Sequence, residues 1–291
     1  MTKKSILMIL GAAALLTACD VKDPIYDSEP TTGGTVTLVA NWNDKDGNIE
    51  KPSSWNIFFG DYTKVASADR HEITTPLPAG DYTAYLYNEV PTIPIAGYIA
   101  TVKTVTTPDG ETGTYLEPQP GWLFTGLQKA TVEDGGQHEF TVSMHQQVRE
   151  LTLVIDPQGN TADRIDKITA SLSGAAGSLD VESGTHGSPS NVALLFDKIT
   201  TGEYAGKWSA TVRLLGVTGN EQKLTGTIVF NDNNLADIPL ESDLSTDLAR
   251  FNEEKKSPVR LDGQTDIPSQ AGFTATINGW TKVTGGTGIA N

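Results

Sequence analysis
Few side chains in this protein have the reactivity or the spacing that chemistry needs, and the sharpest case is Cys19, the only cysteine among 291 residues. It closes Leu16-Thr17-Ala18-Cys19, a small residue and then a cysteine at the end of the apolar run Ile6 to Leu16, with Lys3 and Lys4 ahead of the run. That is the pattern of a bacterial lipoprotein signal, in which cleavage between Ala18 and Cys19 leaves a cysteine that takes acyl chains. Two or more chains on one residue anchor stably where a single chain binds only marginally. The run falls short of the roughly 20 apolar residues that span a bilayer, so it reads as a leader and not as a transmembrane helix. Acylation, not nucleophilic catalysis, is the chemistry expected at Cys19.

No other constellation points to a reaction. His71, His138, His145 and His186 are scattered through loops and strand ends, where solvated imidazoles are expected. The sequence has no nucleophile elbow, histidine cluster, carboxylate pair in a catalytic frame or glycine-rich phosphate loop. The chain reads as a non-enzyme with no cofactor. Asp44, Asp46, Asn48 and Glu50 set oxygen donors two residues apart, as a calcium loop does, but the frame fails: Ile49 stands where the glycine belongs and Trp55 where the bidentate glutamate belongs. An Asp-Gly turn accounts for the same residues, and no metal site is expected.

Tryptophans remain as recognition residues. Trp42, Trp55 and Trp208 fall on apolar strand faces and are core by pattern, whereas Trp122, in Gln119-Pro120-Gly121-Trp122, sits in a loop and is the candidate for an exposed partner or ligand contact.

These residues have to be positioned by strands. With 29 Gly and 15 Pro and few helical patterns, the chain reads as all-β. Thr35 to Trp42 alternates Val36, Leu38, Ala40 and Trp42 against polar neighbours, the mark of a half-buried strand. Trp55 to Phe59 and Tyr82 to Tyr87 follow, the latter after the turn Leu77-Pro78-Ala79-Gly80-Asp81. Residues 91–136 are broken by prolines into edge strands and loops. After Phe140 to Met144, a boundary at His145 to Gln147 leads into Val148 to Ile155, Ile165 to Leu172, Val192 to Phe196, Trp208 to Leu215 and Leu224 to Phe230. Asp243 to Glu254 is predicted as one short helix, because Leu244, Leu248 and Phe251 share a helical face. Phe273 to Ile277 is a final strand, with Asn278-Gly279 either turning a hairpin into Trp280 to Val283 or inserting a bulge. The expected layout is a leader at 1–18, a flexible tether at 19–34, one β-sandwich at 35–146 and a second at 147–291.

The formal net charge is −15, and removal of the leader with Lys3 and Lys4 makes it 19 − 36 = −17. So acidic a chain repels phosphate backbones, and nucleic acid is not an expected partner.

Taken in order, Cys19-Asp20-Val21-Lys22-Asp23-Pro24-Ile25-Tyr26, the strand ending Asn41-Trp42, the Leu77-Pro78-Ala79-Gly80-Asp81-Tyr82 turn, Val148-Arg149-Glu150-Leu151-Thr152-Leu153 and Ile277-Asn278-Gly279-Trp280 resemble the fimbrillin-like lipoproteins of Bacteroidales, particularly the anchor subunits of FimB type. The resemblance implies two transthyretin-like β-sandwich domains, a lipid anchor in the outer membrane with exposure at the cell surface, and fimbrial subunits as partners joined by β-strand addition. Stalk and tip subunits of the family open a groove when an arginine-specific protease removes their first strand. Here the first arginine is Arg70, beyond that strand, which departs from the stalk pattern and suits an anchor. On this reading Phe273 to Val283, with Phe273, Ile277 and Trp280, contacts the next subunit; otherwise it is the last strand of its own sandwich. The alternative function is a solitary surface lipoprotein that binds glycan, which requires Trp122 with Tyr115, or Tyr85 with Tyr87, together on one open face.

Overall fold
The computed structural model describes residues 33–106, 115–232, 234–267, 273–277 and 279–283. Ala18, Cys19 and the leader lie outside the described residues, as do Gly285, Gly286 and Gly288. In chain order the strands are β1 (Gly34–Asn41), β2 (Trp55–Phe59), β3 (Tyr62–Ala66), β4 (Arg70–Leu77), β5 (Gly80–Tyr87), β6 (Ile95–Ala96), β7 (Ile99–Thr101), β8 (Thr104–Val105), β9 (Tyr115–Leu116), β10 (Phe124–Val132), β11 (Gln137–Ser143) and β12 (His145–Gln146). They continue as β13 (Arg149–Gln158), β14 (Ile165–Asp180), β15 (Thr185–Lys198), β16 (Trp208–Leu214), β17 (Lys223–Phe230), β18 (Ile238–Asp243), β19 (Val259–Asp266), β20 (Ala275–Thr276) and β21 (Trp280–Lys282). The fold is all-β, as the sequence predicts.

The first core lies between a three-stranded sheet, order β11-β1-β4, and a five-stranded sheet, order β12-β10-β5-β2-β3. Val36, Leu38 and Ala40 of β1 bury against Trp55, Ile57, Phe59, Leu86, Phe124 and Met144, so the alternation of the first strand does the packing it predicts. The second core is wrapped by one long sheet, order β20-β18-β17-β14-β15-β16-β13-β19-β21, whose halves are joined where Asp197 and Lys198 pair with Ser209 and Trp208. Leu151, Leu153 and Ile155 from one half meet Ile168, Leu172, Val192, Phe196 and Ile228 from the other.

Three local expectations are corrected. Strands within residues 95–116 pair with the second core: β7 runs against β14 at Ser178–Asp180, β9 lies parallel to β15, and Ile93, Ala100, Val102 and Leu116 are buried there. The proline-punctuated segment therefore covers the far ends of β14 and β15, where Ala175, Ala176 and Gly177 offer little side chain to pack.

Asp243 to Glu254 is not a helix. Leu244, Leu248 and Phe251 are buried as their spacing predicts, but the backbone runs through successive turns, with Phe251 N–H donating to Leu248 O and Glu253 N–H to Arg250 O. One carbonyl of this segment and two just beyond it are held from β12 and β13: Arg149 donates from Nη1 to Phe251 O and from Nε to Ser257 O, each at 2.6 Å, and Gln146 Nε2 donates to Lys255 O at 2.9 Å. Leu248 N–H to Leu244 O has the helical spacing, but Ala249, Phe251 and Glu253 each donate to the residue three before, so no helical ladder propagates. Among the described residues the helical structure is a single 3-10 turn, Ala162–Arg164.

The chain end makes neither hairpin nor bulge. Strand β20 lies parallel to β18 and β21 antiparallel to β19, so the end crosses from one edge of the long sheet to the other.

Candidate functional site
Strand β1 is the centre of its sheet. It pairs in parallel with β11 from Thr35↔Gln137 to Asn41↔Ser143 and antiparallel with β4 from Gly34↔Leu77 to Val39↔Arg70. Without β1, the β4 and β11 edges would face each other across an open slot floored by Trp55, Phe59 and Phe124. The chain fills that slot with its own first strand, and Arg70 begins β4, downstream of it.

The terminal strap Phe273–Val283 is built into the second core. Ile277 is buried, and Trp280 is half-buried with its Nε1 donating to Ser242 Oγ at 2.9 Å, while Ser242 Oγ donates to Ile277 O at 2.8 Å. Gly263 on β19 makes the room: a Cβ there would stand 2.7 Å from Ile277 Cγ2 and 2.9 Å from the Trp280 ring. Among the described residues, the strap's pairing covers Leu240–Glu241 on β18 and Leu261–Gly263 on β19. Phe273 is 58% exposed.

A family model described as fimbrillin-A associated anchor proteins Mfa1 and Mfa2 matches residues 44–285. The chain belongs to this family of fimbrillin-A associated anchor proteins. Its fold resembles a candidate adhesin from Bacteroides ovatus at TM-score 0.56 and 16% identity, over 90% of this chain and 98% of that one. It also resembles the fimbrial anchor protein Mfa2 from Porphyromonas gingivalis at TM-score 0.51 and 14% identity, over 84% and 95%. A candidate cell adhesion protein from Bacteroides eggerthii stands at TM-score 0.51 and 12% identity, over 85% and 90%. These are likenesses of fold. No curated protein matches the chain in sequence.

In this fimbrillin-A associated anchor protein, Trp122 is half-buried and packs against both cores. The Arg213 guanidinium sits 5.0 Å from its ring centre, and the Trp122 carbonyl accepts from Asn88 Nδ2 at 2.9 Å. Trp122 lines a cleft of about 340 Å³ together with Asp46, Asn48, Ile49, Gln146, Glu150 and Pro258. The Asp46–Asn48 turn and the loop tryptophan, separate features in the sequence, are thus brought together where the two cores meet. Asp44 is engaged by His145 Nδ1 at 2.5 Å and Lys256 Nζ at 3.6 Å, and Asp46 accepts from the Asn48 amide at 2.7 Å, so the turn is held by protein partners.

Tyr115 lies instead on β9, beside another groove that reaches Leu195. Tyr85 and Tyr87 do share the outer face of β5, 5.1 Å apart, with Phe58 stacked on Tyr87 at 5.6 Å. Tyr98 lies 4.9 Å from Tyr85, which is only 4% exposed, and desolvation holds the Tyr85 hydroxyl well above its usual range. That pair therefore joins the β6–β7 hairpin to the first sandwich rather than offering an open platform.

Sequence reading missed the junction cations. Arg149 is 3% exposed, and Lys255 Nζ lies within 3.2 Å of Gln147 Oε1, Leu215 O and His186 Nε2. Burial pushes Lys255 down to about 7, with Arg149 adding to it, and burial next to Lys255 pushes His186 down to about 4. The signal available was Arg149 itself, a charge on an otherwise apolar strand face.

Proposed function
We propose that this protein is a non-enzymatic fimbrial subunit, the membrane-anchored base or accessory subunit, held by acylated Cys19 in the outer membrane and exposed at the cell surface. It assembles with other fimbrillins by β-strand addition, in which main-chain hydrogen bonds supply affinity and alternate side chains fill pockets. The observation that carries this reading is β1 at the centre of its sheet. A subunit whose first groove is filled by its own strand accepts no incoming strand there, and so ends a polymer.

The second core supplies the other contact. Among the described residues its β18 and β19 edges are paired over a few residues, and Phe273 is exposed. Phe273 to Val283 contacts the next subunit at these edges, and the two-sandwich division at 35–146 and 147–291, with the 95–116 strands docked across it, holds both ends in register.

The test is an immunoblot of native envelopes in dodecyl sulfate with and without boiling. A ladder that collapses on heating is expected, since strand-complemented polymers resist cold detergent, and a single monomer band in both lanes refutes assembly. Cys19→Ser should move the protein from the membrane to the soluble fraction, and a variant that stays membrane-bound refutes the lipid anchor.

A further inference from the structure
The cleft at the meeting of the cores holds a carboxylate that the fold leaves over. Glu150 faces Arg213 across the β13–β16 pair, the position at which opposite charges usually bond. Arg213 is instead committed elsewhere: Nε donates to Gln119 Oε1 at 2.9 Å and its guanidinium stacks on Trp122. Gln119 is fixed in turn by its Nε2 donating to Thr211 O at 2.5 Å. Half-buried Glu150 therefore accepts no hydrogen bond and makes no ion pair among the described residues, and desolvation raises its pKa, with the field of Asp46 adding to the effect and that of Arg213 opposing it. Its carboxylate is open to the cleft, where the hydroxyl donors of a ligand can take the place of water.

The surroundings define that ligand. One wall is aromatic, Trp122, and two are apolar, Ile49 and Pro258; the rim presents the planar polar groups of Asp46, Asn48 and Glu150. Gln146 contributes no free group, since its Oε1 accepts from Asp46 N and its Nε2 donates to Val148 O and Lys255 O. Lys45 stands beside the cleft without lining it, its Nζ donating to Ile49 O at 2.6 Å. The two rim carboxylates repel an anion and accept hydrogen bonds, and the Trp122, Ile49 and Pro258 walls suit an apolar face, which together fit a neutral ligand rich in hydroxyl donors. At about 340 Å³ the cleft is within the size range of small-molecule sites, roughly 300–1,000 Å³.

We propose that this cleft binds a neutral sugar residue of a glycan, its C–H face against Trp122 and its hydroxyls donating to Glu150 and Asp46. The site is separate from the strand-addition edges, so it gives a fimbrial subunit an adhesive contact of its own.

The test is full-length protein on an array of immobilised neutral and sialylated oligosaccharides, followed by calorimetry with glucose, galactose, mannose and N-acetylglucosamine. Binding to neutral glycans is expected, weakened roughly tenfold in Glu150→Gln, the loss of one charge-assisted hydrogen bond, and lost in Trp122→Ala. Glu150→Gln preserves shape and should melt as wild type does, which separates recognition from folding. Wild-type protein that binds no neutral glycan, that binds only sialylated ones, or whose Glu150→Gln variant binds unchanged overturns the proposal. The detergent ladder should be the same for Glu150→Gln and wild type, so failure here and failure of fimbrial assembly read out separately.

Discussion

Replacing Arg149 by methionine tests how the segment 244–258 is held. Arg149 is 3% exposed, donates to Phe251 O and Ser257 O at 2.6 Å each, and lays its guanidinium 5.2 Å from the Phe251 ring centre. Methionine keeps the apolar stem and removes both donors. Each carbonyl left unpaired costs about 1–3 kcal/mol if it stays buried. Against this, the substitution removes a cation that burial penalises, with only the field of Glu254 offsetting the penalty, and relief of that desolvation returns up to several kcal/mol. Because the segment consists of turns, its carbonyls can swing to water, so part of the loss appears as local opening. The expected result is a net destabilisation of about 2 kcal/mol, a sizeable part of a typical 5–15 kcal/mol. Hydrogen exchange should show faster exchange concentrated in the amides of Leu248, Phe251 and Leu244, whose N–H groups are bonded inside or beside the segment. Arg149→Lys, a point donor unable to span two carbonyls, should fall between. If the methionine variant keeps wild-type stability in urea and wild-type protection at these amides, the cation does not hold the segment.

Other outcomes follow from the same geometry. Lys255 in the folded chain titrates near 7 against an ordinary 10.5, so between these values the unfolded chain keeps a proton that the folded chain has released, and stability rises with pH by roughly 1–3 kcal/mol after allowance for screening; urea midpoints from pH 7 to 10 should climb for wild type and stay flat for Lys255→Met. His186, at about 4 against 6.5, acts in the acid window: the unfolded chain protonates first, so stability drops as pH falls from 6.5 towards 4, a drop that His186→Gln should reduce. Gly263→Ala should push Ile277 and Trp280 off β19, read as loss of amide protection at Ile277 and Val283 with the first core unchanged. Deleting residues 273–291 should abolish attachment to fimbriae while leaving the first core folded, and attachment that survives would count against the strap as a contact.

In the first sandwich β1, β2, β5 and part of β11 were legible, whereas β3 and β4 were not read as strands and β10 fell in a segment read as edge strands and loops. Val36, Leu38 and Ala40 alternate, and alternation is a local signal that burial only confirms. The turn at Leu77 to Asp81 was legible for the same reason, since Pro78 and Gly80 act on their own backbone. Asp243 to Glu254 misled because periodicity reports which face is buried and not how the backbone bonds close: Ala249, Phe251 and Glu253 each donate to the residue three before, and Phe251 O is taken by Arg149, 102 residues away. The long β14 and β15 were underestimated since Gly174 to Ser178 has no apolar alternation, and its cover comes from the segment 95–116. At the candidate cleft, Trp122 and Asp46 were each visible, but Glu150 became notable only once Arg213 was seen to be bonded elsewhere.

The parallel neighbour of β1 has a consequence for how the molecule acquires its shape. Thr35 and Gly136 are bonded although they stand 101 residues apart in sequence, and closing a loop of that length costs about 4 kcal/mol of chain entropy before any pairing rewards it. Synthesis runs from the N-terminus, so β1 can pair with β4 once residue 77 has emerged, while its other edge waits until β11 exists. The five-stranded sheet is free of this delay between β2, β3 and β5, which are near neighbours in sequence. Closure of the first sandwich is therefore a late docking of β11 on the remaining edge of β1, and during that interval the same edge is open to the β11 of a second copy. Crowded refolding should yield strand-swapped dimers joined through residues 137–143, whereas dilute refolding should yield monomers.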